Sequence, residues 1–200
     1  ESLINHLLLD DSVYQKPNFE AAAYVMSPPF RPKGNPEALW DGIKAGMIQT
    51  TGTDHCAFTM AQKAMGKDNF TMIPNGCAAI EDRMSLLWHH GVSAGHISAH
   101  EFVNLFTTNA CRIFGMYPRK GAIAVGSDAD IVVFDTKKSR TISAKTQHHK
   151  IDRSIFEGFQ VTGCPSHVIA NGKVVYKDGD VRAQKGAGRF IPRKRFNASM

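Results

Sequence analysis

Apolar residues recur at helical spacing through the first half of the chain and form short runs in the second. Ala38, Leu39, Ile43 and Met47 share one side of an amphipathic helix expected over residues 36–46. Residues 80–90 repeat that spacing with Ile80, Met84, Leu87 and Trp88, and Gly91 reads as the stop. Ser98-Ala99-His100-Glu101 is a capping box ahead of Phe102, Leu105 and Phe106. A further helix is expected from near Thr108 to Gly115. The run Gly46-Met47-Ile48 reads as a strand leading into Thr51-Gly52-Thr53-Asp54-His55-Cys56-Ala57-Phe58. Prolines bar Ser27-Pro28-Pro29-Phe30-Arg31-Pro32 from a helix interior, so it is a rigid loop, and Ile73-Pro74-Asn75-Gly76 is a tight one. After Tyr117-Pro118-Arg119-Lys120-Gly121 the character changes. Ile131-Val132-Val133-Phe134 reads as a strand. His167-Val168-Ile169-Ala170 and Lys173-Val174-Val175-Tyr176 flank Asn171-Gly172, the signature of a type I′ hairpin. Helices dominate residues 36–115 and strands residues 122–180, in an α/β chain without internal repeats.

Composition narrows this picture. With 200 residues and 42% of them hydrophobic, the chain can bury a sizeable core. No apolar run approaches the ~18 residues of a membrane helix. The N-terminus, Glu1-Ser2-Leu3, has neither an initiator Met nor a basic leader, so a trimmed or partial chain is expected. The four cysteines, Cys56, Cys77, Cys111 and Cys164, are far apart, which argues against a zinc knuckle or a disulfide framework and for a reducing, cytoplasmic compartment. The net charge of +6 comes from the last twenty residues, which hold six basic side chains and no acidic ones. Nucleic-acid binding is one reading of that basic arm. Packing on a neighbouring acidic surface is preferred, because Phe190, Ile191 and Phe196 give the arm apolar anchors.

The densest chemical signal is Asp54. A carboxylate at the C-terminal end of a strand, where α/β barrels do their chemistry, can hold a metal ion and move a proton. A capping or turn aspartate is the alternative. His55 faces the other way and reads as structural. Asp128 and Asp130 lack the further acidic ligand of a cation loop and read as turn chemistry. A helix cap separates His96 from His100, and the pairs His89-His90 and His148-His149 diverge, so all six read as surface or structural. Gly186-Ala187-Gly188 lacks dinucleotide-binding spacing, and no Walker motif or nucleophile elbow is present.

Taken in order, several segments resemble one family. They are Val25-Met26-Ser27-Pro28-Pro29-Phe30-Arg31, Thr51-Gly52-Thr53-Asp54-His55-Cys56, Ile73-Pro74-Asn75-Gly76, Glu81-Asp82-Arg83-Met84-Ser85, Asn109-Ala110, Tyr117-Pro118-Arg119-Lys120-Gly121, Gly126-Ser127-Asp128-Ala129-Asp130 and Gly188-Arg189-Phe190-Ile191-Pro192-Arg193-Lys194. Ser154-Ile155-Phe156-Glu157-Gly158 is a looser match. The chain resembles dihydropyrimidinases and hydantoinases of the amidohydrolase superfamily. The resemblance implies the C-terminal part of a (β/α)8 TIM-type barrel over residues 1–117, strands of a small β-sandwich over 118–180, and a basic arm over 181–200. It implies two zinc ions bridged by hydroxide, with Asp54 as a metal ligand and as general base, then general acid. It implies that backbone groups of Ser27 and Asn75 bind the cyclic amide or imide, and that the protein assembles as a homotetramer.

The resemblance also marks what is missing. The family's remaining metal ligands, an H-x-H pair, a carboxylated lysine and two histidines, match no part of this chain. Zinc takes about three or four protein ligands, so Asp54 cannot hold two ions, and the chain alone is expected to be inactive. Two alternatives stay open: a non-catalytic relative similar to the collapsin-response mediator proteins, and a basic-tailed binding module. Dihydroorotases and allantoinases carry a similar Asp-His pair, but Cys56-Ala57-Phe58 looks more like the dihydropyrimidinase pattern.

Overall fold

In the computed structural model, which describes residues 1–192, the chain opens with β1 (Ser2–Leu3) and turns directly into α1 (Ile4–Leu8). Two 3-10 turns, Asp11–Gln15 and Glu20–Tyr24, lead to α2 (Asn35–Lys44) and then β2 (Thr51–Gly52). β1 and β2 pair in parallel, Ser2 opposite Thr51 and Leu3 opposite Gly52. α2 begins where Pro36 suits a first helical turn and Gly34 takes a left-handed φ of 93°. Its buried face is Trp40, Gly42 and Ile43; Ala38 is exposed and Met47 is 77% exposed, so the expected face was rotated. Trp40 decides the rotation, because its indole N–H donates to the Leu7 carbonyl at 3.1 Å inside the core.

Gly46-Met47-Ile48 is not a strand. Those residues close the end of α2, with Met47 and Ile48 amides donating to the Gly42 carbonyl, and the strand is confined to Thr51–Gly52. Three apolar residues are too few to distinguish a helix terminus from a strand.

α3 (Met60–Lys63) carries a capping box between Thr59 and Gln62. α4 (Arg83–Leu87) runs on without a break into a π-helical stretch, Trp88–Ser93. Gly91 therefore lies inside the helical run rather than ending it. A Cβ there would stand 3.1 Å from both Ile97 and Trp40, so the glycine permits close packing. The capping box of Ser98 and Glu101 is formed and starts α5 (Ala99–Val103). A second π stretch, Asn104–Thr108, joins α5 to α6 (Asn109–Ile113), so the separate helix expected near Thr108 is the continuation of this one.

Residues 131–181 form one antiparallel sheet in the order β3 (Ile131–Thr141), β4 (Gln160–Ala170), β5 (Lys173–Lys177), β6 (Asp180–Val181). Asn171 and Gly172 turn the β4–β5 hairpin with φ of 49° and 76°, both positive as a type I′ turn requires. The sheet docks on the helices through Trp88, Phe102 and Phe134, whose ring centroids lie 5.2 to 5.7 Å apart. Gly163 makes room for Trp88, since a Cβ there would fall 2.3 Å from the indole. One buried cluster runs from Ile4 and Leu7 through Trp40 and Leu87 to Phe156 and Val161. Arg193, Lys194, Arg195 and Phe196 of the basic arm lie outside the described residues, and Phe190 is 90% exposed.

Candidate active site

Three irregular segments lie side by side just past the ends of β1 and β2. The Cys56 amide donates to the Cys77 carbonyl at 3.1 Å, and the Gly76 amide donates to the Val25 carbonyl at 2.9 Å. Asn5, fully buried on α1, donates from Nδ2 to the Thr53 carbonyl at 3.2 Å and approaches Met26 Sδ at 3.8 Å. These bonds fasten residues 25–27, 53–56 and 74–77 to one another. Arg83 also donates to the Thr51 carbonyl, and Asn109 to the Gln49 carbonyl at 2.9 Å.

Ser27 and Asn75 meet directly on this edge, Ser27 Oγ donating to Asn75 Oδ1 at 3.2 Å. Asp54 follows β2 in the segment that Cys56 bonds to Cys77, and takes a left-handed φ of 47°, a conformation aspartate tolerates better than most residues. All three are exposed, and among the described residues the Asp54 carboxylate has no hydrogen-bond or ion-pair partner. Gly76 is required by crowding: at φ 140° its Cβ would lie 2.4 Å from the Cys56 carbonyl oxygen.

The neighbours of Asp54 are structural. His55 Nδ1 accepts from the Ala79 and Ile80 amides at 3.2 and 3.3 Å, which leaves the neutral ring's proton on Nε2. Burial, and then the nearby His149, push its pKa down. Cys77 Sγ donates to the Ala23 carbonyl at 3.4 Å, and burial pushes the thiol up to about 12, so it is no nucleophile. His96 stacks on Trp40 at 5.0 Å, His89 Nδ1 accepts from the Thr162 amide, and His148 pairs with Glu81 at 2.9 Å. Asp128 joins Arg119 and Lys120 at 3.0 and 3.1 Å, and Asp130 accepts from the Asn171 amide at 2.7 Å, which makes them turn and ion-pair residues.

Sequence reasoning missed Lys63. Its side chain is 2% exposed, and Nζ donates to the carbonyls of Pro74, Gly76 and Val25 at 2.6, 2.8 and 3.0 Å. Nothing in Met60-Ala61-Gln62-Lys63 distinguishes it from a solvated helix residue.

As a metal site these residues are incomplete. Among the described residues Asp54 offers one unengaged carboxylate, and no group of three or more His, Cys, Asp and Glu side chains is placed to hold an ion.

A profile of the amidohydrolase family matches residues 28–175, and the chain belongs to that family. Within it, the likeness is to hydantoinases and dihydropyrimidinases along the whole chain. The D-hydantoinase of Geobacillus stearothermophilus is 44% identical over 201 residues, which cover 100% of this chain and 43% of that one. The dihydropyrimidinase of Rattus norvegicus is 49% identical over 177 residues, 88% of this chain and 34% of that one. The crystal structure of dihydropyrimidinase from Brevibacillus agri superposes with a TM-score of 0.95 at 46% identity, covering 98% of this chain and 42% of that one. The α/β fold is that of these structures, and the chain spans less than half the length of the relatives it matches.

Proposed function

We propose that this chain is the C-terminal part of a dihydropyrimidinase- or hydantoinase-type hydrolase, which opens a cyclic amide ring by adding water across its C–N bond. The observation that carries the reading is the bonding of three loops, Ser27 joined to Asn75 and the segment after Asp54 joined to Cys77, which supports a shared site for these three residues. In this reading residues 1–117 are the last portion of a barrel, residues 118–180 a sandwich segment and residues 181–200 a basic arm. Large apolar side chains left in water, Ile123 at 88% and Phe70 at 80%, support a longer parent whose remaining chain, or further copies in a tetramer, cover them.

Asp54 fits one coordination position of a metal site completed by residues beyond this chain, and zinc is the ion proposed. Bound there, the metal supplies Lewis acidity for activating water and polarising the ring carbonyl. Asp54 takes the proton from the attacking water and delivers it to the leaving ring nitrogen. Ser27 and Asn75 hold the ring's amide edge so that its carbonyl carbon stands within reach of that water. The parent enzyme is proposed to act in the cytoplasm.

The test is ring opening of 5,6-dihydrouracil and of hydantoin by a purified complete parent chain. Turnover of either is expected, with loss on metal removal and return on adding zinc; the 200-residue chain alone should be inactive. Absence of turnover on both rings, with every divalent metal tried, would overturn the reading.

A further inference from the structure

The Lys63 ammonium has three N–H groups and meets three carbonyl oxygens, so no proton remains for acid–base work. Pro74 and Gly76 flank Asn75, and Val25 lies two residues before Ser27. Three oxygens converging in a buried space repel one another unless a cation sits among them. Burial pulls the lysine's pKa down, and the nearby Cys77 and Cys56 thiols oppose that only in part.

This cluster fixes the direction of the Asn75 backbone. The peptide bonds on either side of Asn75 are trans, so in each the C=O and N–H point opposite ways. Pro74 C=O points to Lys63, and the Asn75 N–H therefore points away from it. The Gly76 N–H points to the Val25 carbonyl, itself bound to Lys63, and the Asn75 C=O points away from it. Asn75 thus presents a donor and an acceptor on one outward side, and among the described residues neither group has a hydrogen-bond partner. A ring amide is held cis and displays an acceptor and a donor along one edge, the complement of that pair.

We propose that Lys63 is a positioning residue: its buried ammonium pins the Val25, Pro74 and Gly76 carbonyls and so aims the Asn75 backbone pair at the amide edge of a cyclic substrate. The proposal rests on the ring-hydrolase reading. It assigns to a lysine without substrate contact the job of setting ring affinity rather than the proton-transfer step.

The test uses the complete parent chain with Lys63→Met, which keeps the stem and deletes the ammonium, beside Lys63→Arg, which restores charge and donors. Lys63→Met is expected to raise KM for dihydrouracil about tenfold or more, since charge-assisted hydrogen bonds are lost. Its kcat should stay within about threefold and its metal content at the parent level, and Lys63→Arg should recover part of the KM. A KM within about twofold of the parent, or a joint fall of kcat and metal content, overturns the proposal. If Lys63→Met does not fold, Lys63→Gln, which keeps two donors, is measured against the same criteria. A parent that opens no cyclic amide overturns the hydrolase reading instead. The clamp is then judged by hydrogen exchange over residues 73–77, about tenfold faster in the variant if Lys63 holds that loop and unchanged if it does not.

Discussion

Replacing Gly76 with alanine probes the seam between residues 53–56 and 74–77. The added methyl would sit 2.4 Å from the Cys56 carbonyl oxygen and 2.5 Å from Cys56 Cβ, where ordinary contact begins at 3.4 Å. The obstacle is backbone already tied to the Gly76 segment by the Cys56–Cys77 bond, so it cannot swing aside as a side chain would. Overpacking of this kind costs about 1–3 kcal/mol, and a non-glycine residue forced to the observed φ adds about 1–3 kcal/mol. Gly158→Ala is the control, because that glycine has φ 83° but nothing within 4 Å of the added carbon. Urea unfolding of the complete chain should place Gly76→Ala below Gly158→Ala by about 1–3 kcal/mol. A difference under about 0.5 kcal/mol, the scale of ordinary surface substitutions, would refute the crowding argument.

Arg140→Met should cost about 3 kcal/mol in the same assay, because it strips the 3.0 Å partner from Asp82, a fully buried carboxylate left with Gln147; a loss under about 1 kcal/mol contradicts that. Glu81 and His148 predict a pH window. Burial pushes the Glu81 carboxyl up, but hydrogen bonds from the His148 ring and the His148 and His149 amides outweigh it and hold the pKa below 4.5. The Glu81 bond raises His148 above 6.5. Glu81's contribution is complete above 4.5 and fades as pH falls through its depressed pKa, whereas that of His148 is complete below 6.5 and fades as pH rises through its raised pKa. Hydrogen exchange over residues 144–149 should therefore be slowest, corrected for intrinsic rates, between those values, and His148→Gln should remove the alkaline limb.

Local signals were legible wherever a short-range rule closed on itself. The Ser98–Glu101 capping box and the Asn171-Gly172 turn both formed as read, because each depends on residues within four positions. The motifs around Ser27 and Asn75 fall on loops that bond to each other, and the segment after Asp54 bonds to Cys77. What failed depended on tertiary neighbours. Gly91 looked like a terminator but answers the close approach of Trp40 and Ile97. Met47 looked like core, yet the indole bond of Trp40 turns α2 so that Met47 faces water. Lys63 was invisible because its partners are main-chain oxygens, which carry no sequence signature.

The central claim is that the Asp54 carboxylate moves the proton in cyclic amide hydrolysis. Steady-state turnover of dihydrouracil by Asp54→Ala, in a complete parent chain of unchanged assembly state, measures it directly. We predict a fall in kcat of at least about 10²–10⁴-fold, the range for loss of a general acid–base group. Turnover unchanged from the parent would remove Asp54 from the mechanism.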